Sequence, residues 1–337
     1  MRWKEIEWAD LSRYRGELMG AAMLFIVLFH VDLPRYDLYY GLRRCGNVGV
    51  DMFLFLSGIG LWYSWSKNTS LRQFFLNRYI RVYPAWLIVA SLYYIPRFKS
   101  GHSIIGLLGD TLINSCFWIR DELTFWYVPA IMVLYCFAPA YMTLIKRNPA
   151  FRWLPVLMMA WCVAVQWVAP IHSAVGHIEI FWSRVPIFFL GINCGQLVRS
   201  EHRMQGNTTW LVLMGFLMTA GLCIYLEQMW HGRFPLFIER MVYIPLTVTC
   251  LLLLCKVFRH TPDIIRRFFR LLGIISLELY LIHIQFVMRY VTPHHIGYWP
   301  TALITLAVAM PLAWALHTII EKAVSKMPLP RYYKKPS

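Results

Sequence analysis

Runs of about 17 or more largely apolar residues recur from one end of this chain to the other. At about 1.5 Å per helical residue, such a run crosses the hydrocarbon of a bilayer. Inside hydrocarbon every backbone N–H and C=O must find a partner within the segment, which leaves only α-helices and closed barrels. The alternating pattern of a barrel strand is absent from the sequence. The chain is therefore predicted to be all-α, a polytopic membrane protein of about ten transmembrane helices.

Composition agrees, with 58% hydrophobic and 15% charged residues, against about 45–50% and about 25% in soluble domains. The spans are expected at about 16–32, 46–65, 80–96, 124–145, 152–171, 180–198, 209–230, 240–257, 271–290 and 299–321. No polar stretch is long enough to bury a core of its own. The organisation is read as a segment 1–15, a membrane domain 16–321 and a basic tail 322–337. No small-residue cleavage site follows the first span, which is expected to direct insertion itself.

The net charge of +16 would suggest a nucleic-acid partner in a soluble protein. Here most of the 33 lysines and arginines collect in alternate loops, the positive-inside pattern. This places both termini in the cytoplasm and makes membrane lipid, not nucleic acid, the expected surroundings. The eight cysteines lie mostly inside apolar runs and form no CxxC pair. They read as small lipid- or core-facing residues, and no metal ligand set is expected. Residues 100–118 are apolar but broken by Gly101, Gly106, Gly109, Asp110 and Asn114. Counting them as a span would invert every later loop, so they read as an external interfacial or re-entrant segment covered by protein.

Ionisable groups within spans are costly and point to function. His30 lies some 14 residues into the first span, roughly 20 Å from its start, with Asp32 just beyond. Asp51 sits at the lip of the second span, where Gly49, Ser57, Gly58 and Gly60 permit close helix packing. Arg78 and Arg81 follow in a cytoplasmic loop, 66–81. At i, i+3 they share a helix face and suit phosphate binding. Pro84 is expected to distort the next helix near its start. Glu179 and Arg184 mark the outer start of the sixth span. Glu278 and His283 lie in the ninth, too far apart in register to share a face closely. Each has a plainer explanation, as an interfacial polar residue, a positive-inside anchor or, for Trp126 and its neighbours, an aromatic belt.

Six segments follow one another in a recognisable order. They are Glu17 to His30, the Gly-Val-Asp-Met-Phe-Leu-Phe-Leu-Ser-Gly of residues 49–58, and the Asn-Arg-Tyr-Ile-Arg-Val-Tyr-Pro of 77–84. The Phe-Trp-Tyr-Val-Pro-Ala of 125–130, the Arg-Val-Pro-Ile-Phe-Phe-Leu-Gly of 184–191 and the Ile-Ser-Leu-Glu-Leu-Tyr-Leu-Ile-His of 275–283 complete the set. Together, over residues 15–321, they resemble the acyltransferase-3 family of integral-membrane acyltransferases.

The resemblance implies ten helices in an inner or plasma membrane and acyl-CoA, usually acetyl-CoA, as a cytoplasmic co-substrate with no permanently bound cofactor. The implied acceptor is a hydroxyl of a cell-surface or lipid-linked saccharide, an O-acetylation of the cell envelope. His30 matches the family's proposed catalytic histidine, and Arg78 with Arg81 its paired donor-handling residues. The family arginine eleven residues before the histidine is Met19 here, which leaves Arg15 or Arg13 to substitute.

A neutral imidazole can take the proton of an acceptor hydroxyl as it attacks a thioester. Asp32 or Asp51 would orient it, and Arg15, Arg78 and Arg81 would hold the CoA phosphates. Ser57, Trp126, Arg184, Glu278 and His283 are further candidates. Direct transfer and an acyl-histidine intermediate are equally compatible with the sequence. The rival readings are a secondary transporter of a glycan lipid or small solute, which would share such intramembrane groups, and a sensory or structural membrane module.

Overall fold

The computed structural model describes residues 6–98, 103–120, 122–200, 204, 208–233 and 235–326. The expected segment 1–15 thus loses its first five residues, and the basic tail 322–337 its last eleven, to regions outside the described residues. The same holds for Gly101 in the interrupted segment.

The described chain is all-helical. The helices used below are α1 (Arg15–His30), α2 (Tyr40–Cys45), α3 (Val48–Lys67), α4 (Leu71–Tyr94), α5 (Ile104–Ile113), α6 (Ser115–Arg120), α7 (Tyr127–Arg147) and α8 (Leu154–Trp167). They continue with α9 (Val185–Arg199), α10 (Thr208–Trp230), α11 (Leu236–His260), α12 (Asp263–Ile274), α13 (Ser276–Ile282) and α14 (Tyr298–Ser325). Among the described residues, six helical stretches are long and apolar enough to cross a membrane: Tyr40–Lys67, Tyr127–Arg147, Pro149–Trp167, Thr208–Trp230, Leu236–His260 and Tyr298–Ser325. Two bent pairs, Ala169–Trp182 with Val185–Arg199 at 44° and Asp263–Ile274 with Ser276–His294 at 64°, raise the number to eight if each is one span.

Ten spans are not reached by this measure. The first expected span is the 16-residue α1, about 24 Å long and shorter than a hydrocarbon core of about 30 Å. The third is the distal part of the 24-residue α4, whose proximal turns carry Arg72, Arg78 and Arg81. The expected loop 66–81 is therefore largely helix. Ser70 caps it, accepting the Gln73 N–H at 3.4 Å, and Pro84 sits inside the helix rather than near its start. The interrupted segment becomes two helices too short to span, α5 and α6. They join at Asn114, a left-handed residue with φ 53°, whose fully buried amide accepts from Tyr94 Oη at 2.8 Å and donates to the Thr124 carbonyl at 2.8 Å.

Small residues bring the central helices into backbone contact. A Cβ on Gly49 would lie 2.3 Å from the Ala22 carbonyl oxygen of α1, and one on Gly58 would lie 2.4 Å from Phe188 O of α9. On the other side of α1, a Cβ on Gly20 would fall 1.9 Å from Phe269 O, and one on Gly273 would fall 2.0 Å from Gly16 O. Helices α3, α1 and α12 thus form a closely stacked layer, α9 lies against α3, and α13, α4 and α7 complete a bundle around the lower part of α1.

Candidate active site

The bundle encloses a narrow cavity of about 120 Å³ beside α1. It runs from Arg15 through Met19 to Ile26, eleven residues or about 16 Å along that helix. Arg15, Arg78 and Arg81 all line it, from α1 and from one face of α4. Ser57 of α3, Tyr127 and Tyr135 of α7, and Glu278 and Tyr280 of α13 line it as well. His317 of α14, which sequence reasoning passed over, binds Glu278 Oε1 through Nδ1 at 2.9 Å.

Three guanidinium groups gathered on one space favour an anion with several charges. Arg15, not Arg13, supplies the α1 member. Arg13 points outward, 60% exposed, and pairs with Asp10 at 2.9 Å. Arg15 reaches inward because Gly60 leaves it room; a Cβ there would stand 3.0 Å from Arg15 Nη2.

Two histidines stand one turn beyond the cavity lining. His30 Nδ1 lies 2.8 Å from Ile26 O, and His283 Nδ1 lies 2.8 Å from Tyr280 O and 3.0 Å from Leu279 O. Ile26 and Tyr280 are themselves lining residues. The rings meet, with His283 Nε2 3.3 Å from His30 Nδ1.

Carbonyl oxygens only accept, so His283 Nδ1 carries hydrogen and its Nε2 a lone pair. His30 Nδ1–H is then shared between Ile26 O and His283 Nε2, which leaves a lone pair on His30 Nε2. His283 is fully buried and opens a π-helical stretch, His283–Met288, of the kind often found at functional sites.

Neither expected aspartate takes the orienting role in this geometry. Asp32 is exposed and accepts the Leu33 N–H at 3.0 Å. Asp51 is buried in a separate cluster, where Arg184 Nε donates to its Oδ1 at 3.1 Å and Arg184 Nη2 donates to Asn47 Oδ1 at 2.6 Å. The Arg184 guanidinium lies 4.9 Å from the Trp126 ring centre. The cluster continues into groups that the sequence reading did not single out. Arg240 is 3% exposed over Tyr243, and Glu227 is fully buried, accepting from Arg44 Nε at 3.1 Å and Tyr243 Oη at 3.2 Å. The available signal was carboxylates and a guanidinium inside apolar runs.

Of the eleven candidates, the structure therefore places Arg15, Arg78, Arg81, Ser57 and Glu278 on one cavity. It places His30 and His283 together past the cavity's end, Asp51, Arg184 and Trp126 in a second cluster, and Asp32 outside.

Three arginines thus line one cavity within apolar helices, and a pair of imidazoles stands one turn past its lining. A family model described as an acyltransferase domain matches residues 20–318, and the chain belongs to this acyltransferase-3 family. No curated protein and no solved structure matches it.

Proposed function

We propose that the protein is an O-acyltransferase that takes an acyl group, most simply acetyl, from cytoplasmic acyl-CoA and places it on a saccharide hydroxyl. The observation that carries this reading is the convergence of Arg15, Arg78 and Arg81 on a cavity that ends one helical turn from His30. The arginines suit the phosphates of CoA. A cavity of about 120 Å³ suits the slender pantetheine arm and leaves the nucleotide at its mouth.

In the direct route, His30 Nε2 accepts the proton of the acceptor hydroxyl as its oxygen bonds to the acyl carbon. The carbon–sulfur bond breaks, and the proton passes from the imidazolium to the departing thiolate, giving CoA thiol and an ester. His283 holds the imidazole in the tautomer this step needs and accepts from its Nδ1–H. The surface-glycan acceptor, the cell-envelope role and the inner or plasma membrane location rest on the family resemblance together with this geometry.

The test is purified protein in detergent with radiolabelled acetyl-CoA and host membrane glycans, wild type beside His30→Ala. Label entering glycan with wild type alone supports the reading. Equal label with both removes His30 as the base, and no label with either overturns the acetyl donor.

A further inference from the structure

We infer that Glu278, held in place by His317, binds the pantetheine arm of the donor: its second carboxylate oxygen accepts an N–H from one of the arm's two amides. This rests on the acyl-CoA reading and assigns a binding residue within that same cavity.

Among the described residues that line the cavity, Glu278 of α13 is the one carboxylate, set on the same space as Arg15, Arg78 and Arg81. A carboxylate placed there to neutralise an arginine would spend both oxygens on the guanidinium fork. Glu278 is engaged differently. Its Oε1 accepts from His317 Nδ1 of α14 at 2.9 Å, and because a carboxylate only accepts, Nδ1 carries the hydrogen. Its Oε2 is buried and has no hydrogen-bond partner among the described residues, on a residue 4% exposed. A buried acceptor left without a donor is costly, and a ligand N–H would remove that cost.

The place of Glu278 along the cavity selects the ligand group. Gly273 lies against Gly16 at the arginine end, where a Cβ would fall 2.0 Å from Gly16 O, and His283 meets His30 past the other end. Glu278 stands five residues from each, about 7 Å along the helix axis from His283. In an acyl-CoA whose phosphates meet the arginines and whose thioester nears His30, the groups between them are the two pantetheine amides, each carrying one N–H. Met19, Ile26, Val50 and Phe53 of the same lining are apolar and suit the methylenes of the arm. A carboxylate accepts from an amide and repels a phosphate, so the same oxygen admits the neutral arm and stops the anion behind it. His317 acts through Glu278: by fixing Oε1 it keeps the carboxylate from swinging onto a guanidinium.

The experiment is titration calorimetry of the purified full-length protein in detergent with CoA and with adenosine 3′,5′-bisphosphate, which keeps a phosphorylated nucleotide and lacks the arm. Glu278→Gln preserves the shape, but with its oxygen taken by His317 it turns an N–H donor toward the arm. It should weaken CoA at least tenfold and leave the bisphosphate within twofold. His317→Leu should weaken CoA threefold or more in the wild-type background and less than twofold in the Glu278→Gln background. Wild type is also titrated with two CoA analogues, each with one arm amide replaced by an ester that has no N–H. One of the two should bind at least tenfold more weakly than CoA, a result that depends on no variant.

Equal CoA affinity in wild type and Glu278→Gln overturns the inference, as does full affinity for both ester analogues. In either case, CoA binding by wild type leaves the acyl-CoA reading standing. No CoA binding by wild type overturns that donor reading itself, and the role of Glu278 with it.

Discussion

His283 Nε2 lies 3.3 Å from His30 Nδ1, and each Nδ1 is also held by a carbonyl of its own helix. The proton of the first imidazole therefore has two acceptors on one side, and the lone pair faces the other way.

If this arrangement positions the base, His30→Ala should lower kcat by about 10²–10⁴-fold with the protein still folded and membrane-inserted. His283→Ala should lower kcat less, by about ten- to a hundredfold, with little change in KM. His283→Gln, which keeps an acceptor near the Nε2 position, should recover part of the loss. Steady-state rates with radiolabelled acetyl-CoA decide it; a His283→Ala enzyme with wild-type kcat removes the positioning role.

Arg78→Ala with Arg81→Ala should raise KM for acyl-CoA more than KM for the acceptor. Arg15→Ala should do the same, whereas Arg13→Ala should leave donor KM within about twofold, because Arg13 is exposed and paired with Asp10. Gly60→Val should imitate Arg15→Ala by displacing its guanidinium. An effect confined to the acceptor would reassign the cavity.

Asp51→Ala leaves Arg184 buried without its carboxylate, a loss of about 3–5 kcal/mol for a broken buried pair. Asp51→Ala should lower the unfolding midpoint in detergent sharply. Adding Arg184→Leu should restore part of it, since an apolar pair carries no uncompensated charge. Equal midpoints for Asp51→Ala and the double variant would contradict the pairing.

Gly20→Ala brings a methyl group to 1.9 Å from Phe269 O. Overpacking against backbone costs about 1–3 kcal/mol or more, so the variant should unfold at lower temperature and lose activity together. Gly221→Ala, where a Cβ meets nothing within 4 Å, should be neutral or stabilising in the same thermal assay.

Asp110 lies outside the spans, in the short α5. Burial would raise its carboxyl, but hydrogen bonds from Cys116 and Ser115 and the Arg120 guanidinium outweigh this and hold it below the usual value of 3.8. A lowered folded-state pKa gives stability that is present above the unfolded value and is lost as pH falls through the folded one. The α5–α6 joint should therefore loosen below about pH 4. Hydrogen exchange at Ser115 and Cys116 should rise there in wild type, and in Asp110→Asn it should vary little with pH once intrinsic exchange is removed.

Much of the arginine cavity was legible because it is local. Arg78 and Arg81 share a face by register alone, and Arg15 precedes Met19 by one turn, so both reach one cavity. The contacts that complete the site are not local. His30 finds His283 across 253 residues, and Asp51 finds Arg184 across 133. No periodicity encodes such pairings; they follow from which helices the glycines allow to touch. The span count suffered for a related reason. Hydropathy windows measure apolarity, whereas α1 is short because the backbone turns extended at Val31, directly after His30, and α4 is long because Ser70 starts it early.

Helix α1 also acts as a ruler. Arg15 and His30 stand at its two ends, fifteen residues or about 22 Å apart along the axis. A molecule anchored at the first and reacting at the second must present charge and reactive carbon at that separation. A small activated acyl compound with no long spacer can satisfy one end or the other but not both. With acyl-CoA as the proposed donor, selection among donors would then rest on molecular length, set by the turns of one helix rather than by the chemistry of the acyl group itself.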